Sequence, residues 1–491
     1  MSASSKKTVS ILCAAGGLVA AAVALGSRNQ GVKAPAPPSP ISHTDPADPK
    51  EPILAADTCA AGPANASQDL GFGTLKAGMS SAKVLRTGPA AAYAAFEIGA
   101  NEAAATVRPP LNIALVVDRS GSMDSDDKMT RAREAASALV KGMTDQDRLA
   151  LVEYDDTADV LVPSIKTDAE GRKKLLAAIA KISTRGSTNL HGGMILGRDE
   201  IKRALGPGQV SRVILLSDGL ANAGVTDPTR IADDARRAAD TGVRLTTVGV
   251  GNDYNEDLME AIAEAGRGHY YYVKDSATLE TVIAGEWKSM QSTVATAVEL
   301  RLEPACGGVE IEEVIGYESR REGGKTIVPM ADVFGGDSRK IVVKLKLPSG
   351  ATASVGTVRG ELVFKDAKTS SEKTVAVRLG VEVTDDQLQV DGSADKNIMG
   401  YVLQVEAAKT MRQAAAAYEK GDIAGARGYI AGGRANAQAV AKKYDLKPEA
   451  AAPALHNFTE FDGEVQTNAP GSMGAKAALK QRKTNAREMS K

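Results

Sequence analysis

Four apolar runs constrain this chain more than any other feature: NIALVVD (112–118), RLALVEY (148–154), SRVILLS (211–217) and VRLTTVGV (243–250). They show almost no alternation of polar and apolar residues, so a strand made from them must be covered on both faces. Three of the four lead directly into helix-patterned stretches. Helices are predicted near 128–143, 168–182, 191–205, 228–241, 256–265 and 277–290, with a last strand at HYYYVKD (269–275). RLALVEYDD followed by ADVLVPSI reads instead as a hairpin at the edge. Strands alternating with helices predict a doubly wound, mostly parallel α/β unit over residues 111–290.

The flanks have a different rhythm. KVLRTG and AAYAAFEIGA, within 66–110, alternate weakly and cannot bury a face alone. Residues 291–384 hold six further alternating segments broken by Gly, Pro and Ser, from TAVELRLEP to KTVAVRLGVEV. These two groups are predicted to form one antiparallel β-sandwich, 66–110 plus 291–384, into which the α/β unit is inserted. With 43% hydrophobic but only 4% aromatic residues, both cores must be mostly aliphatic. In 395–445, Tyr401, Val405, Ala408, Met411 and Ala415 fall at helical spacing, and KGD at 420–422 breaks the run, which predicts a helical hairpin. Residues 446–491, polar and basic with KQRK among them, read as a flexible tail.

Lys6 and Lys7 precede an apolar run from Val9 to Leu25, the form of a signal peptide or an uncleaved signal-anchor over 1–27. Eight prolines between residues 28 and 65 read as an extended linker. The body of the protein is therefore expected to be exported to the cell envelope, membrane-anchored or free. Export bears on Cys59 and Cys306, which either pair or stay as two separate buried thiols. A net charge of −1 gives no reason to expect a nucleic-acid partner. Four histidines and no CxxC pair leave little for a zinc site.

The chemistry concentrates where the first strand ends. Asp118, Ser120 and Ser122 alternate along the loop leaving it, at the edge of an open α/β sheet where ligands bind. Two more loops should reach that edge, one bringing Thr188 in TRGSTNLHGG and the other Asp218 in LLSDGLANAG. Two carboxylates and three hydroxyls form a set of hard oxygens suited to Mg²⁺, with Mn²⁺ acceptable and Ca²⁺ less so. Without a cation the two carboxylates would repel, and one would tend to keep its proton. Singly, each piece reads as a polar turn or a helix cap; their joint placement is the signal.

VVDRSGSM, GSTNLHGG and ILLSDGLANAG resemble the three motifs of the von Willebrand factor type A domain, whose metal-ion-dependent adhesion site has the pattern DxSxS, then Thr, then Asp. The resemblance covers about residues 108–290, and the flanking strands look like those of bacterial exported proteins in which this domain is set into a β-sandwich. It implies a binding module, not an enzyme: Asp118, Ser120, Ser122, Thr188 and Asp218 would hold the cation, serines and threonine directly or through water and aspartates often through water. One open coordination position would accept an Asp or Glu carboxylate of a protein partner. Asp124, Asp126 and Asp127 match only partly the acids of relatives with an additional adjacent cation. The competing readings are a metal-dependent or serine hydrolase and a structural scaffold with a vestigial metal site. No GxSxG, HExxH or GxxxxGK[ST] is present, and His191 reads as a helix-start residue.

Overall fold

The computed structural model of the chain describes residues 62–87, 90–102, 108–251, 253–348 and 354–489. The leader expected at 1–27, nearly all of the linker and Cys59 lie outside them. Cys306 is disulfide-bonded, and the cysteine joined to it lies outside the described residues. Among these residues no helix is long and apolar enough to cross a membrane.

Strands β1 (Asn65–Asp69), β2 (Gly73–Met79), β3 (Lys83–Leu85) and β4 (Ala90–Ala100) come first. The α/β unit follows: β5 (Leu111–Asp118), α1 (Lys128–Gly142), β6 (Arg148–Tyr154), β7 (Ala158–Lys166), α2 (Ala169–Ile179), α3 (Leu190–Arg203), β8 (Val210–Ser217), α4 (Pro228–Asp240), β9 (Arg244–Val250), α5 (Glu256–Ala265), β10 (Arg267–Val273) and α6 (Leu279–Gln291). Its sheet has the order β10-β9-β8-β5-β6-β7, parallel except for the edge strand β7. β5 and β8 are buried at every position, which is why their sequences lack alternation. Two apolar clusters lie on the two faces of this sheet. Helix α3 approaches one face closely because Gly193 and Gly197 face it: a Cβ there would meet Tyr154 at 2.6 Å and Val116 at 2.5 Å.

The chain then continues with β11 (Thr293–Pro304), β12 (Glu310–Ile315), β13 (Arg320–Glu322), β14 (Lys325–Pro329), β15 (Val333–Phe334), β16 (Ser338–Leu347), β17 (Val355–Asp366) and β18 (Glu372–Thr384). These combine with the first four strands into two sheets, β1-β2-β4-β16-β12 and β13-β14-β11-β17-β18-β3, with β15 also on β11. Pairing is antiparallel except between β18 and β3. Both sheets contribute to one apolar cluster. Phe72 meets Phe364 edge-on at 5.2 Å between centroids, and Phe96 of β4 lies where a side chain at Gly360 of β17 would be. The α/β unit is therefore inserted, in chain order, between strands that share a core.

The C-terminal part departs from the reading of a helical hairpin followed by a flexible tail. After the short α7 (Gln387–Gly392), helices α8 (Lys396–Glu419) and α9 (Ile423–Lys443) are joined by α10 (Pro448–Thr467) and α11 (Met473–Met489). Ala454, Phe458, Phe461 and Val465 of α10 and Ala475, Leu479 and Ala486 of α11 are buried with Met411, Ala415 and Tyr418 of α8 in one cluster. Pro448 sits in the first turn of α10, where its missing N–H costs nothing. The KQRK residues are not a solvated basic run. The Lys480 ammonium lies 3.4 Å from the Tyr254 ring centroid. Arg482 pairs with Glu460 and Glu464, both at 2.9 Å, and Lys483 pairs with Glu256 and Asp257 of α5 at 2.8 and 2.7 Å. Helix α11 is thus docked on the α/β unit through charges that composition alone reads as tail-like.

Candidate functional site

β5 ends at Asp118, whose side chain is fully buried. Its Oδ1 accepts the Ser120 backbone N–H at 2.8 Å and its Oδ2 accepts the Ser217 hydroxyl at 2.7 Å. The first bond closes the turn that swings Ser120 and Ser122 back over the strand end. A single 3-10 turn, Gly121–Asp124, follows, pinned by buried Met123. Burial pushes the Asp118 carboxyl up from 3.8 to about 6, and nearby Asp218 adds to the rise.

β8 ends one residue before Asp218, also fully buried. Its Oδ1 accepts the Ser122 hydroxyl at 2.6 Å and its Oδ2 accepts the Lys128 ammonium at 2.8 Å. The Ser120 and Ser122 hydroxyl oxygens are 3.1 Å apart. Thr188 precedes Asn189, which caps α3 by accepting the Gly192 N–H at 3.0 Å. The Thr188 N–H donates to Asn222 Oδ1 at 2.8 Å, and its carbonyl accepts the Asn222 and Ala223 N–H groups at 3.2 and 3.3 Å. Two further backbone bonds, Gly121 to Gly186 and Arg185 to Arg119, tie the first loop to the loop before α3.

All five residues singled out from the sequence therefore meet at one edge of the sheet. The convergence has a geometric measure at Gly219. A Cβ placed on that residue would lie 3.1 Å from Thr188 Oγ1, 3.4 Å from Ser122 Oγ and 3.8 Å from Ser120 Oγ. The three hydroxyls border one space, which a side chain at Gly219 would crowd, most closely at Thr188. The oxygen pair at 3.1 Å also suits a small cation: adjacent ligands of an octahedral Mg²⁺ at ~2.1 Å are about 3.0 Å apart. Gly219→Ala is accordingly expected to weaken divalent-cation binding by roughly tenfold or more, about 1.4 kcal/mol. Calorimetric titration with Mn²⁺ beside an unchanged unfolding temperature checks it.

Other polar groups at the rim are already engaged. Arg119, between Asp118 and Ser120, turns away to pair with Glu153 at 2.9 Å and Asp155 at 2.7 Å. Asp124 accepts the Thr184 hydroxyl at 3.2 Å, while Asp126 and Asp127 sit in left-handed backbone conformations. Among the described residues no group of three or more His, Cys, Asp or Glu side chains is placed to hold a metal ion; the set at this edge relies on hydroxyls. His191 pairs with Asp234 at 3.0 Å. Leu220, next to the site, is exposed, as is the Arg185 side chain.

Sequence reasoning missed Lys128. It opens α1 and is buried, although the positive end of a helix disfavours a cation. That mismatch is the signal that could have found it: a lysine there needs an anion, and Asp218 is the anion.

The family profile of the von Willebrand factor type A domain matches residues 112–285. The uncharacterized protein YfbK of Escherichia coli (strain K12) is 31% identical over 273 residues, 55% of this chain and 47% of that protein. The inter alpha-trypsin inhibitor, heavy chain 4, of Mus musculus is 31% identical over 158 residues, 31% of this chain and 17% of that protein. The chain spans under half the length of these relatives. Among solved structures, a von Willebrand factor type A protein from Catenulispora acidiphila superposes with a TM-score of 0.67 at 17% identity, over 84% of this chain and 97% of that one. The ArnB paralog VWA2 from Sulfolobus acidocaldarius does so with a TM-score of 0.57 at 16% identity, over 86% and 99%. At these identities the likeness is one of fold.

Proposed function

We propose, from the premise that residues 112–285 are a von Willebrand factor type A domain, that this chain is a divalent-cation-dependent protein-binding module. It acts in adhesion or assembly at the cell envelope and is not an enzyme. The observation that carries the reading is the meeting of three hydroxyls and two buried carboxylates around the space kept by Gly219. Ser120, Ser122 and Thr188 would hold the ion directly. Asp118 and Asp218, each already accepting two hydrogen bonds, would act through water and through the hydroxyls they orient. The bound ion would supply Lewis acidity toward one further oxygen, and a carboxylate of a partner fits that role. Exposed Leu220 at the rim offers an apolar contact to residues flanking that acid.

The hydroxyl pattern does not favour a serine nucleophile. Ser122 donates its proton to Asp218, a carboxylate already neutralised by Lys128. Export is supported by the leader-like N-terminus in the sequence and by the disulfide at Cys306, a bond that persists in oxidising compartments.

Titrating the full-length chain with Mg²⁺ and Mn²⁺ tests the reading. Binding tighter than ~1 mM, about 4 kcal/mol, is expected for the wild type and none for Asp118→Ala. Retention of an envelope protein should vanish with chelator while the fold persists. Retention that survives both chelator and Asp118→Ala would overturn the proposal. Labelling of Ser120 or Ser122 by a serine-reactive probe would favour a hydrolase, and cation binding too weak to matter at millimolar concentration would favour a scaffold.

A further inference from the structure

The charge count at the site is incomplete without Lys128. Its ammonium lies 2.8 Å from Asp218 Oδ2 and 3.5 Å from the Ser122 carbonyl, and the side chain is 7% exposed. The place is built for it. Gly251, in the left-handed region at the end of β9, would put a Cβ 3.3 Å from Lys128 Cε and 3.5 Å from its Nζ, so the missing side chain makes room for the ammonium. The loop leading into α1 is held by the Ser276 hydroxyl, which donates to the Asp126 carbonyl at 2.8 Å. Arg119, the other cation beside the motif, is taken up by Glu153 and Asp155.

Two buried carboxylates and one buried ammonium give this cluster a net charge of −1. A bound divalent cation takes it to +1, and an arriving carboxylate neutralises it. Without the lysine the same three states would carry −2, 0 and −1. At the edge of a desolvated site such differences are weakly screened. The lysine therefore sets two affinities in opposite directions: it weakens attraction for the metal and strengthens the loaded site's attraction for an acid.

We propose that Lys128 is a built-in counter-cation that sets the partner selectivity of this site, trading cation affinity for a positively charged, acid-seeking metal-loaded state. The inference rests on the cation-binding reading above. Mn²⁺ serves as the metal probe and acetate as the minimal carboxylate, with the full chain throughout. In Lys128→Met, Mn²⁺ should bind roughly tenfold or more tightly than in the wild type, a change of about 1.4 kcal/mol. Acetate should bind the Mn²⁺-loaded variant correspondingly more weakly, read from the relaxation of Mn²⁺-bound water protons. Lys128→Arg, which keeps the charge, should stay close to the wild type, and so should Lys141→Met at an exposed position of the same helix. Unfolding curves for each variant separate lost fold from changed affinity, and Lys128→Arg carries the test should Lys128→Met not fold: an arginine variant with altered Mn²⁺ and acetate affinities would overturn the charge argument. A folded Lys128→Met variant with unchanged or weaker Mn²⁺ affinity overturns it too, leaving the cation site standing. A wild type that takes up no Mn²⁺ overturns the cation-binding reading itself and this inference with it.

Discussion

Replacing Arg212 by methionine is expected to lower the stability of the chain by about 3–5 kcal/mol, the cost of breaking a buried ion pair from one side. Arg212, on β8, is the largest fully buried side chain among the described residues. It pairs with Glu286 of α6 and, at 2.9 Å, with Asp332 in the loop between β14 and β15. Arg244 of β9 shares Asp332 at 3.2 Å. Glu286 also accepts the Thr246 hydroxyl at 2.7 Å and the Tyr271 hydroxyl at 2.7 Å, and pairs with His269 at 3.1 Å. This network sits where the α/β unit meets the sheets around it, so its loss should also uncouple the unfolding of the two parts. Urea titration followed by two probes checks both, and a loss below about 1 kcal/mol, the worth of an ordinary surface pair, would deny the network that role. A buried pair is often no better than apolar residues of similar volume, but Arg212→Met combined with Glu286→Leu should recover only part of the loss, because Thr246, Tyr271 and His269 lose the acceptor they share.

The same network has a pH signature. Burial alone would raise the Glu286 carboxyl, but the Arg212 guanidinium and then His269 hold it well below its ordinary 4.5. A depressed carboxyl stabilises the fold fully above its unfolded value and loses that contribution as pH falls toward the folded one. The stabilisation should therefore be intact at neutral pH and fade only below pH ~4.5. In Arg212→Met the carboxyl should be less depressed, so the loss below pH ~4.5 should be smaller and complete at a higher pH, because the opposing charge is gone.

How much of this was legible in the sequence follows from which contacts are local. The α/β unit could be read because β5 and β8 are buried on both faces, and such strands announce themselves without alternation. The candidate site could be read because each of its loops directly follows such a strand or precedes a capped helix. Lys128 was passed over, since a lysine after three acids looks like a solvated helix start unless its place at the positive end of α1 is weighed, and its anion, Asp218, is 90 residues away. Asp332 could not be read, being 120 residues from Arg212. Helices α10 and α11 were hidden by their composition. They pack through alanines and two phenylalanines, with Phe458 lying where a side chain at Gly433 would be. Close approach of small residues leaves a weak apolar stripe, and the basic residues that dock α11 on α5 look like a tail until their acids are placed.

Asp118→Asn is expected to make the metal-free protein more stable at neutral pH, even as it removes cation binding. The reason is the sign of the shift at this carboxyl. Burial raises it to about 6 from 3.8, so the fold disfavours the charged form. The stability tied to its neutral form is fully present below its unfolded value of 3.8 and is lost as pH rises through about 6. A shift of about two units corresponds to about 3 kcal/mol carried by the metal-free wild type above that range. Asparagine keeps an acceptor for the Ser120 N–H and a partner for the Ser217 hydroxyl without the charge. In chelator at pH ~7.5 the variant should thus unfold at a higher temperature than the wild type, and the gap should narrow at pH ~5, below the folded value. Mg²⁺ at about 1,000 times its Kd should reverse the order, since it adds about 4.1 kcal/mol to the protein that binds it, more than the deficit of about 3 kcal/mol, and nothing to the variant. A variant less stable than the wild type in chelator at pH ~7.5 would mean that Asp118 holds the strand end together as a structural acid. A gain without metal and a deficit with it would mean that the chain keeps a costly buried charge because a cation normally answers it, which is how selection for a site overrides selection for stability.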